Sequence, residues 1–575
     1  MRPFYFSPAL PKTPSFTIGD GVILLGIAAL LYAGQRLAFN APEVVAGPNI
    51  SLSPLALPWY AALSVGRMTV AYLLSLVFSL FYGYIAARNH RARLVLMPLL
   101  DVLQSVPILS FMPVALLSLT AILPETIAAE LAAIFLIFTS QAWNMTFSLY
   151  QSMITIPEEL KEAAAIFRFS PWMRFKTLEL PFAAIGLLWN SMMSWSGGWF
   201  FLMAAEIFHI GSRDFRLPGL GSYLQTAASR GDTGAIVMGM LTLVCIIVLL
   251  DQLVWRPLIV LTDKYKVEMQ EREEPPESWF YDLMAGSWIL TQFTNRVWDP
   301  GHEWLDIFLR RRRVKRRGLA AGQQGREGRG FPVLGLALGL AVLFLYGGWQ
   351  AATLLWKLPA ASWLAVAKGL GATFLRVNAS LFLALLWTVP VGVLIGTNRR
   401  LANFLQPLVQ VVAAIPATAL FPILLLALLT VPGGLNIAAI SLMLMGTQWY
   451  LLFNVIAGAA AIPQDLINTT ALLRLSLFDR WKTLILPALF PYIITGAITA
   501  SGGAWNASIV AEYVEFGGQT HSVTGIGALI AQATDHSDYP LLLAATLLLV
   551  LTVVLINRTF WLKLYRISEE RYRLE

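Results

Sequence analysis

Charged side chains inside apolar segments are the residues of this sequence that could do chemistry. Glu206 and Glu512 each close a long apolar run, and Arg67 and Arg376 interrupt two others. Ionisable groups are costly inside a membrane and often functional there. The glutamates could act as gate or cavity residues, but we favour carboxylates that accept hydrogen bonds from the glycine-rich loops after them. The arginines could line a pathway, and pairing with the glutamates is the preferred interpretation.

Other reactive side chains are few and scattered. Cys245 is the single cysteine, which excludes an internal disulfide framework, an all-cysteine zinc site and an iron–sulfur cluster. The five histidines lack metal-ligand spacing, and we find no Ser/His/Asp set or pair of carboxylates on one helix that would support an enzymatic activity. We therefore expect no enzymatic activity, no metal site and no cofactor bound by this chain.

The elements that carry these residues are those of an integral membrane protein. Of 575 residues, 57% are hydrophobic and 13% charged, against roughly 25% charged in an ordinary soluble protein. The mean hydropathy of +0.66 excludes a disordered chain and disfavours a soluble multidomain enzyme. A membrane span needs about 20 mostly apolar residues. About twelve such segments are predicted, at 18–38, 61–87, 94–120, 128–150, 181–208, 233–255, 331–356, 365–396, 402–430, 436–460, 487–512 and 540–561.

Basic residues predict the orientation of these spans. The net charge is +8, and Lys and Arg cluster in loops such as 88–93 and 398–400 and in the run Arg310–Arg317. These loops share one face if both termini are cytoplasmic, as the positive-inside rule requires. The first span is interpreted as a retained anchor, with a cleaved signal peptide as the alternative. The basic run is interpreted as a topology anchor that contacts anionic lipid rather than nucleic acid.

The chain is a tandem duplication. One constant offset pairs Trp143 with Trp449, and an offset three residues longer pairs Pro98 with Pro407. Each copy then holds six spans, and an even number makes the copies parallel repeats about an axis along the membrane normal. We predict a first half at 1–255, a cytoplasmic or interfacial linker at 256–330 and a second half at 331–575. The fold class is an all-α integral membrane protein with two parallel six-helix repeats.

Duplicated prolines and glycines mark further candidate pathway positions. Pro107 and Pro416 lie within the third span of each half, where they could break the helices beside the pathway or only kink them. Two Gly-x-Gly segments follow the glutamates and suggest tight backbone packing at an outer gate. These glycines are Gly219, Gly221, Gly525 and Gly527.

The most informative segments are the long loops 156–181 and 462–487 between the fourth and fifth spans. Pro157 and Pro463 suit the first turn of a helix. Two equivalent, symmetrically placed helices would suit a partner with two equivalent sockets, although ordinary interfacial helices are the simpler alternative. The residues expected at the partner are Glu162, Ala163, Ala164, Phe167 and Arg168 in copy one and Asn468, Thr469, Thr470, Leu473 and Arg474 in copy two.

Glu162-Ala163-Ala164 with the downstream Leu180-Pro181 resembles the EAA loop of binding-protein-dependent ABC importer permeases. The wider pattern is most similar to the nitrate/sulfonate/taurine class, as a fused pair of type I permease halves. The resemblance implies that both loops form coupling helices that grip two cytoplasmic ATPase subunits. Arg168 and Arg474 replace the glycine of the family pattern, and Asn468-Thr469-Thr470 replaces EAA in copy two, so the local turn and the fit to each socket are expected to differ from the family.

The resemblance also implies the partners and the location. No G-x-x-x-x-G-K-[ST] phosphate loop is present, so ATP and Mg would be bound by separate ATPase subunits. A periplasmic or extracellular binding protein would deliver a nitrate-, sulfonate- or taurine-like small anion to a permease in the bacterial inner membrane. A secondary active transporter with six plus six parallel spans is the alternative. A membrane enzyme is the weaker rival, because no catalytic cluster is found.

Overall fold

The structure is a computed structural model that describes residues 18–38, 47–210, 213–263, 278–285, 342, 345–428, 430–516 and 519–571. The predicted all-α class is confirmed, with two small β-hairpins added among the described residues. The helices of the first half are Ile18–Ala38, Leu57–Arg88, His90–Ser105, Ile108–Thr120, Glu125–Ile154, Glu158–Ile166, Pro171–Arg174, Leu180–Glu206, Leu220–Ser229, Thr233–Leu250 and Arg256–Asp263. Those of the second half are 345–356, Ala360–Thr397, Arg399–Ala414, Ala417–Leu428, Gly434–Ala460, Gln464–Leu472, Leu477–Arg480, Leu486–Ala511, Ile526–Asp535, Tyr539–Ile556 and Leu562–Arg571.

Fewer helices than predicted are long and apolar enough to cross a membrane. Seven described helices meet this requirement, or eight if one bent helix pair counts as a single span. In the predicted first span, the helix Ile18–Ala38 has a shorter apolar part, Gly21–Gly34, and does not meet this requirement. The predicted span at 331–356 lies partly outside the described residues. Helices occupy almost all the predicted segments, but by length and composition seven or eight of those in the described residues could cross a membrane, compared with about twelve predicted spans.

The predicted third span is broken rather than continuous. Its two helices, His90–Ser105 and Ile108–Thr120, meet at 95°. The break falls at Pro107, and Val106 before it is extended, with ψ 124°. A residue before proline avoids the helical region, and proline itself offers no backbone N–H. Pro416 makes the same break after Ile415, whose ψ is 118°.

The two halves repeat one packing scheme. In each half a long helix, Leu57–Arg88 or Ala360–Thr397, packs along another one, Glu125–Ile154 or Gly434–Ala460. The latter packs in turn along Leu180–Glu206 or Leu486–Ala511, which we call central helix 1 and central helix 2. Equivalent π-helical turns precede the two central helices, at Phe175–Glu179 and Trp481–Ile485. The predicted two-repeat architecture is thereby confirmed.

The halves meet through a reciprocal exchange of contacts. Ile108–Thr120 of the first half packs against central helix 2, and Ala417–Leu428 of the second half packs against central helix 1. The backbone N–H of Ile108 donates to Asn506 Oδ1, which ties the first proline break to central helix 2. Because each proline break abuts the opposite central helix, the breaks are placed at the interface between the halves.

Much of the predicted linker lies outside the described residues, including its basic run and its glycine-rich end. The described helix Trp279–Ala285 carries part of the aromatic stretch. Trp279 and Leu283 are exposed, and the indole of Trp279 donates to Gln252 Oε1 at 3.2 Å. The exposed aromatic face suits a membrane interface, as the sequence predicts.

Candidate functional site

Arg67 and Glu206, two buried charged residues of the first half, lie in one hydrogen-bonded cluster. Arg67 Nη1 lies 2.8 Å from Glu206 Oε1, and the Arg67 and Glu206 side chains are 4% and 0% exposed. The Ser64 hydroxyl donates to Glu206 Oε1 at 2.6 Å. Arg67 also donates to Glu130 through Nε and Nη2, at 2.6 Å each, and to the Pro218 carbonyl at 2.8 Å. Every described donor of this guanidinium is therefore directed at protein oxygen.

The second half builds the same cluster with one change. Arg376 Nη1 lies 2.7 Å from Glu512 Oε1, and Thr373 takes the place of the first half's serine, donating at 2.7 Å. Asn436 Oδ1 accepts from Arg376 Nη2 at 2.8 Å where the first half has a glutamate. The expected pairing of arginine with glutamate is present in both halves. The second arginine has one carboxylate partner, whereas the first has two.

The buried carboxylates approach the Gly-x-Gly segments so closely that the first glycine of each has no room for a side chain. A Cβ atom on Gly219 would lie 2.3 Å from Glu206 Oε1, and one on Gly525 would lie 2.1 Å from Glu512 Oε2. The N–H of Gly221 donates to Glu206 at 2.7 Å, and that of Gly527 donates to Glu512 at 2.9 Å. Each carboxylate therefore sits at the amino end of a short helix, where the helix dipole favours an anion.

These clusters hold together four separate parts of each half. They join the helix that carries the arginine, the helix Glu125–Ile154 or Gly434–Ala460, the end of the central helix and the loop that follows it. Sequence reasoning missed four members, although each occupies an equivalent position in the other copy. These are Ser64 with Thr373 and Glu130 with Asn436. A gate or pathway role for the glutamates, arginines and glycines stays a prediction, and the contacts show a structural one.

A cavity of about 540 Å³ lies between the halves. Central helix 1 contributes Trp189, Trp195 and Trp199, and central helix 2 contributes Gly503, Asn506 and Ala507. Pro416 lines it, which places one of the two predicted prolines beside the cavity. Pro107 is not among its lining residues, but it immediately precedes the residue that binds Asn506. The cavity is the best-formed candidate for a pathway in the described part of the molecule.

The two predicted partner-binding loops each contain a short helix. We call Glu158–Ile166 loop helix 1 and Gln464–Leu472 loop helix 2. Their apolar tips are exposed, with Phe167 at 72% and Leu473 at 66%. Ala164 and Thr470 are buried beneath the helices. The remaining predicted contact residues are exposed or half-buried on these loops: Glu162, Ala163, Arg168, Asn468, Thr469 and Arg474.

In the turn after each loop helix, an arginine adopts the left-handed backbone conformation that usually requires glycine. Arg168 has φ 52° and Arg474 has φ 51°, both in the left-handed region. The N–H of Phe169 donates to the Ala164 carbonyl at 3.0 Å, so the left-handed residue closes the helix end. Both arginines therefore adopt a backbone conformation that glycine reaches without steric cost.

Arg168→Gly is expected to raise the free energy of unfolding by about 1 kcal/mol, because the left-handed conformation costs an L-residue roughly that much. Arg474→Gly is expected to do the same. SDS-titration unfolding of the purified chain in mixed micelles measures this. The matched control is Glu159→Gly on exposed loop helix 1, which is expected to destabilise. Equal effects of the two substitutions would contradict the interpretation.

A buried glutamate near loop helix 1 escaped sequence reasoning. Glu179 is 2% exposed, and its Oε1 lies 2.7 Å from Arg88 Nη2 and 2.9 Å from Arg174 Nε. The second copy has Ile485 at this position, so it has no carboxylate there to pair with Arg480. The sequence signal that could have identified Glu179 is its alignment with an isoleucine, Ile485, at the equivalent position of the other repeat. The cluster fastens the loop to the end of the second helix in the first half.

Glu179→Gln is expected to lower the free energy of unfolding by about 2 kcal/mol. Removing one charge of a buried pair costs roughly 3–5 kcal/mol, and the partial exposure of both arginines reduces that penalty. The same SDS titration measures it, with the exposed Glu159→Gln as control. A loss no greater than the control would show that solvent already screens the cluster.

Among the described residues no group of three or more His, Cys, Asp or Glu side chains could hold a metal ion. The site therefore offers buried ion pairs, an apolar cavity and two exposed loop helices.

Comparison with known proteins places these features. The model of the family "Binding-protein-dependent transport system inner membrane component" matches twice, at residues 79–254 and 388–573. The bicarbonate transport system permease protein CmpB of Synechococcus elongatus is 33% identical over 193 residues, which cover 33% of this chain and 66% of that protein. The nitrate import permease protein NrtB of Synechocystis is 31% identical over 195 residues, 33% of this chain and 67% of NrtB.

The taurine transport system permease protein TauC of Escherichia coli is 22% identical over 188 residues, 33% of this chain and 65% of TauC. The aligned part thus spans about two thirds of the length of these relatives. Each copy of the duplicated helices carries its own match to the family. The matched residues include both loop helices and the glutamates and glycines of both buried clusters. The arginines and the hydroxyl residues of those clusters precede the matched ranges: Ser64, Arg67, Thr373 and Arg376. The chain belongs to the family of inner membrane components of binding-protein-dependent transport systems, as a multi-pass membrane permease with the family domain in tandem.

Proposed function

We propose that this chain is the transmembrane subunit of an ATP-driven ABC importer in a bacterial inner membrane. Its two halves, 1–255 and 331–575, form the translocation pathway at their interface. Separate ATPase subunits bind the two loop helices, and ATP and Mg bind to those subunits. Both termini and the linker 256–330 face the cytoplasm, and a periplasmic or extracellular binding protein delivers a nitrate-, sulfonate- or taurine-like small anion.

The loop helices are the single observation that carries the proposal. Loop helix 1 and loop helix 2 occupy equivalent positions, and both end in an exposed apolar side chain followed by a left-handed turn. Each tip exposes two adjacent apolar side chains, Ile166 with Phe167 and Leu472 with Leu473, and a contiguous exposed apolar patch is typical of a protein contact site. Two equivalent tips support a partner with two sockets, as a pair of ATPase subunits would provide.

The interface between the halves supports a rocking movement. The reciprocal packing of the proline-broken helices on the central helices is a two-fold arrangement around the cavity. Movement of the two loop helices toward each other would tilt the central helices, because a π-helical turn joins each loop to its central helix. We propose that this movement opens the cavity to alternate sides.

The experiment is co-purification of the full chain in mild detergent after co-expression with its genomic neighbours. The expected result is that a separate protein with an ATP-binding phosphate loop co-purifies and hydrolyses ATP. Purification of the chain alone, with none of the co-expressed ATPases attached, would contradict the proposal and favour the secondary transporter.

A further inference from the structure

We infer that the cavity between the halves takes solutes with a flat, apolar organic body and is not a site for small hydrated anions such as nitrate. The inference rests on the proposed transport function, because it names the class of solute that would pass this point. Among the proposed small anions, it selects those in which the charged group is attached to a flat, apolar organic body.

The size and chemistry of the lining favour an aromatic ligand. At about 540 Å³ the cavity is within the range of sites that enclose organic ligands. Its walls are mainly indole, phenyl and thioether groups, among them Trp189, Trp199, Trp449, Phe200 and Met192. Trp195 is held edge-on to Trp255, with ring centroids 5.9 Å apart at 69°. Such rings gain free energy by stacking on a flat apolar body.

The described lining offers no cation to a small anion. Asp251 is the only charged side chain among the described residues that line the cavity, and Arg256 Nε pairs with it at 3.1 Å. A nitrate ion would lose its hydration here without gaining a charged partner, which is strongly unfavourable. An organic anion meets the same cost at its charged group but offsets it with the apolar area that its body buries against the rings. The buried Arg67 and Arg376 do not fill this need, because their own carboxylates bind them.

The two sides of the cavity differ chemically. Trp189 and Phe200 of central helix 1 occupy the repeat positions of Thr495 and Asn506 in central helix 2. The first half therefore supplies most of the aromatic wall, whereas the second half, beside its own Trp449, supplies polar groups that include Tyr450 and Asn454. A solute with a flat apolar body and a polar group at one end would match this division.

Saturation-transfer difference NMR on the full chain in lipid nanodiscs tests the inference. The probes are benzenesulfonate and ethanesulfonate, which share a head group but differ in the flat body, with sodium nitrate as competitor. Empty nanodiscs correct for partition into lipid. We expect benzenesulfonate to bind at least tenfold more tightly than ethanesulfonate, and nitrate not to displace it at equal ionic strength.

A matched pair of glycine substitutions locates the binding. Gly446 lines the cavity, and a Cβ atom added to it would meet no atom within 4 Å, so we expect Gly446→Phe to place its ring in the cavity. Gly371 also has open space, but it lies on the exposed surface of a membrane helix, so Gly371→Phe adds the same ring outside. Gly446→Phe is expected to reduce benzenesulfonate binding at least tenfold, and Gly371→Phe to leave it unchanged.

Three results would overturn the inference: equal binding of the two sulfonates, displacement by nitrate, or equal binding by the two glycine variants. Absence of binding by any probe would overturn it as well. None of these depends on ATPase co-purification, so the proposed import function is tested separately.

Discussion

Glu512→Ala is expected to cause the largest loss of stability of any single substitution in the clusters, about 3–5 kcal/mol in the free energy of unfolding. The substitution leaves the buried Arg376 guanidinium without a charged partner, and its remaining side-chain partner, Asn436, is neutral. Breaking one half of a buried ion pair costs about this much, because the other charge stays desolvated. The Gly527 N–H also loses its acceptor.

The first half supplies an internal comparison. Glu206→Ala is expected to cost less than Glu512→Ala, because Arg67 keeps the carboxylate of Glu130 at 2.6 Å. SDS-titration unfolding in mixed micelles measures both variants, with Glu159→Ala on an exposed helix as control. A loss in Glu512→Ala as small as in the control would contradict the structural role of the ion pair and return the glutamates to a gating role.

Phe167→Asp combined with Leu473→Asp is expected to weaken ATPase binding at least ~100-fold, and each single substitution about tenfold. Both side chains are exposed, so the fold of the chain is expected to survive. An apolar tip that fills a partner's socket is a typical hot spot, and a buried carboxylate in its place has no countercharge. Titration of the purified ATPase against the nanodisc-bound chain measures the dissociation constants.

Leu55→Asp is the matched control for these loop substitutions. Leu55 is 90% exposed, and it precedes the helix Leu57–Arg88 at the end opposite to Arg88, which contacts the loop region. It should therefore leave ATPase binding unchanged. If the double loop variant binds the ATPase as tightly as Leu55→Asp does, the loop helices are not the coupling site.

The repeat was the part of the fold most readily predicted from sequence. Tryptophans, prolines and glycines recur at a constant offset in the two halves, and this recurrence can be recognised without knowing where each span begins or ends. The number of spans was harder to predict, since hydropathy does not distinguish one long helix from two that meet at 95° across Pro107. The hairpins Tyr513–Phe516/Gln519–Ser522 and His209–Ile210/Arg213–Asp214 were also missed. Their strands are too short to show a two-residue periodicity over a useful length.

The site could be predicted in its charged members but not in its polar ones. Glu206 and Arg67 stand out because charge is rare in apolar segments. Ser64 and Thr373 do not, since hydroxyl side chains are common in membrane helices and bond locally to the backbone. Glu179 was hidden for a different reason: it lies in a loop, where a charge is unremarkable until its burial is known.

Uptake by the purified complex in proteoliposomes distinguishes ATP-driven import from gradient-driven transport. The assay follows labelled taurine, ethanesulfonate, benzenesulfonate and nitrate, with the binding protein outside and with ATP or a non-hydrolysable analogue inside. We expect uptake of at least one solute that requires ATP hydrolysis, proceeds without an ion gradient and is lost in the Phe167→Asp/Leu473→Asp variant. Uptake that follows an imposed proton or sodium gradient without ATP would contradict it.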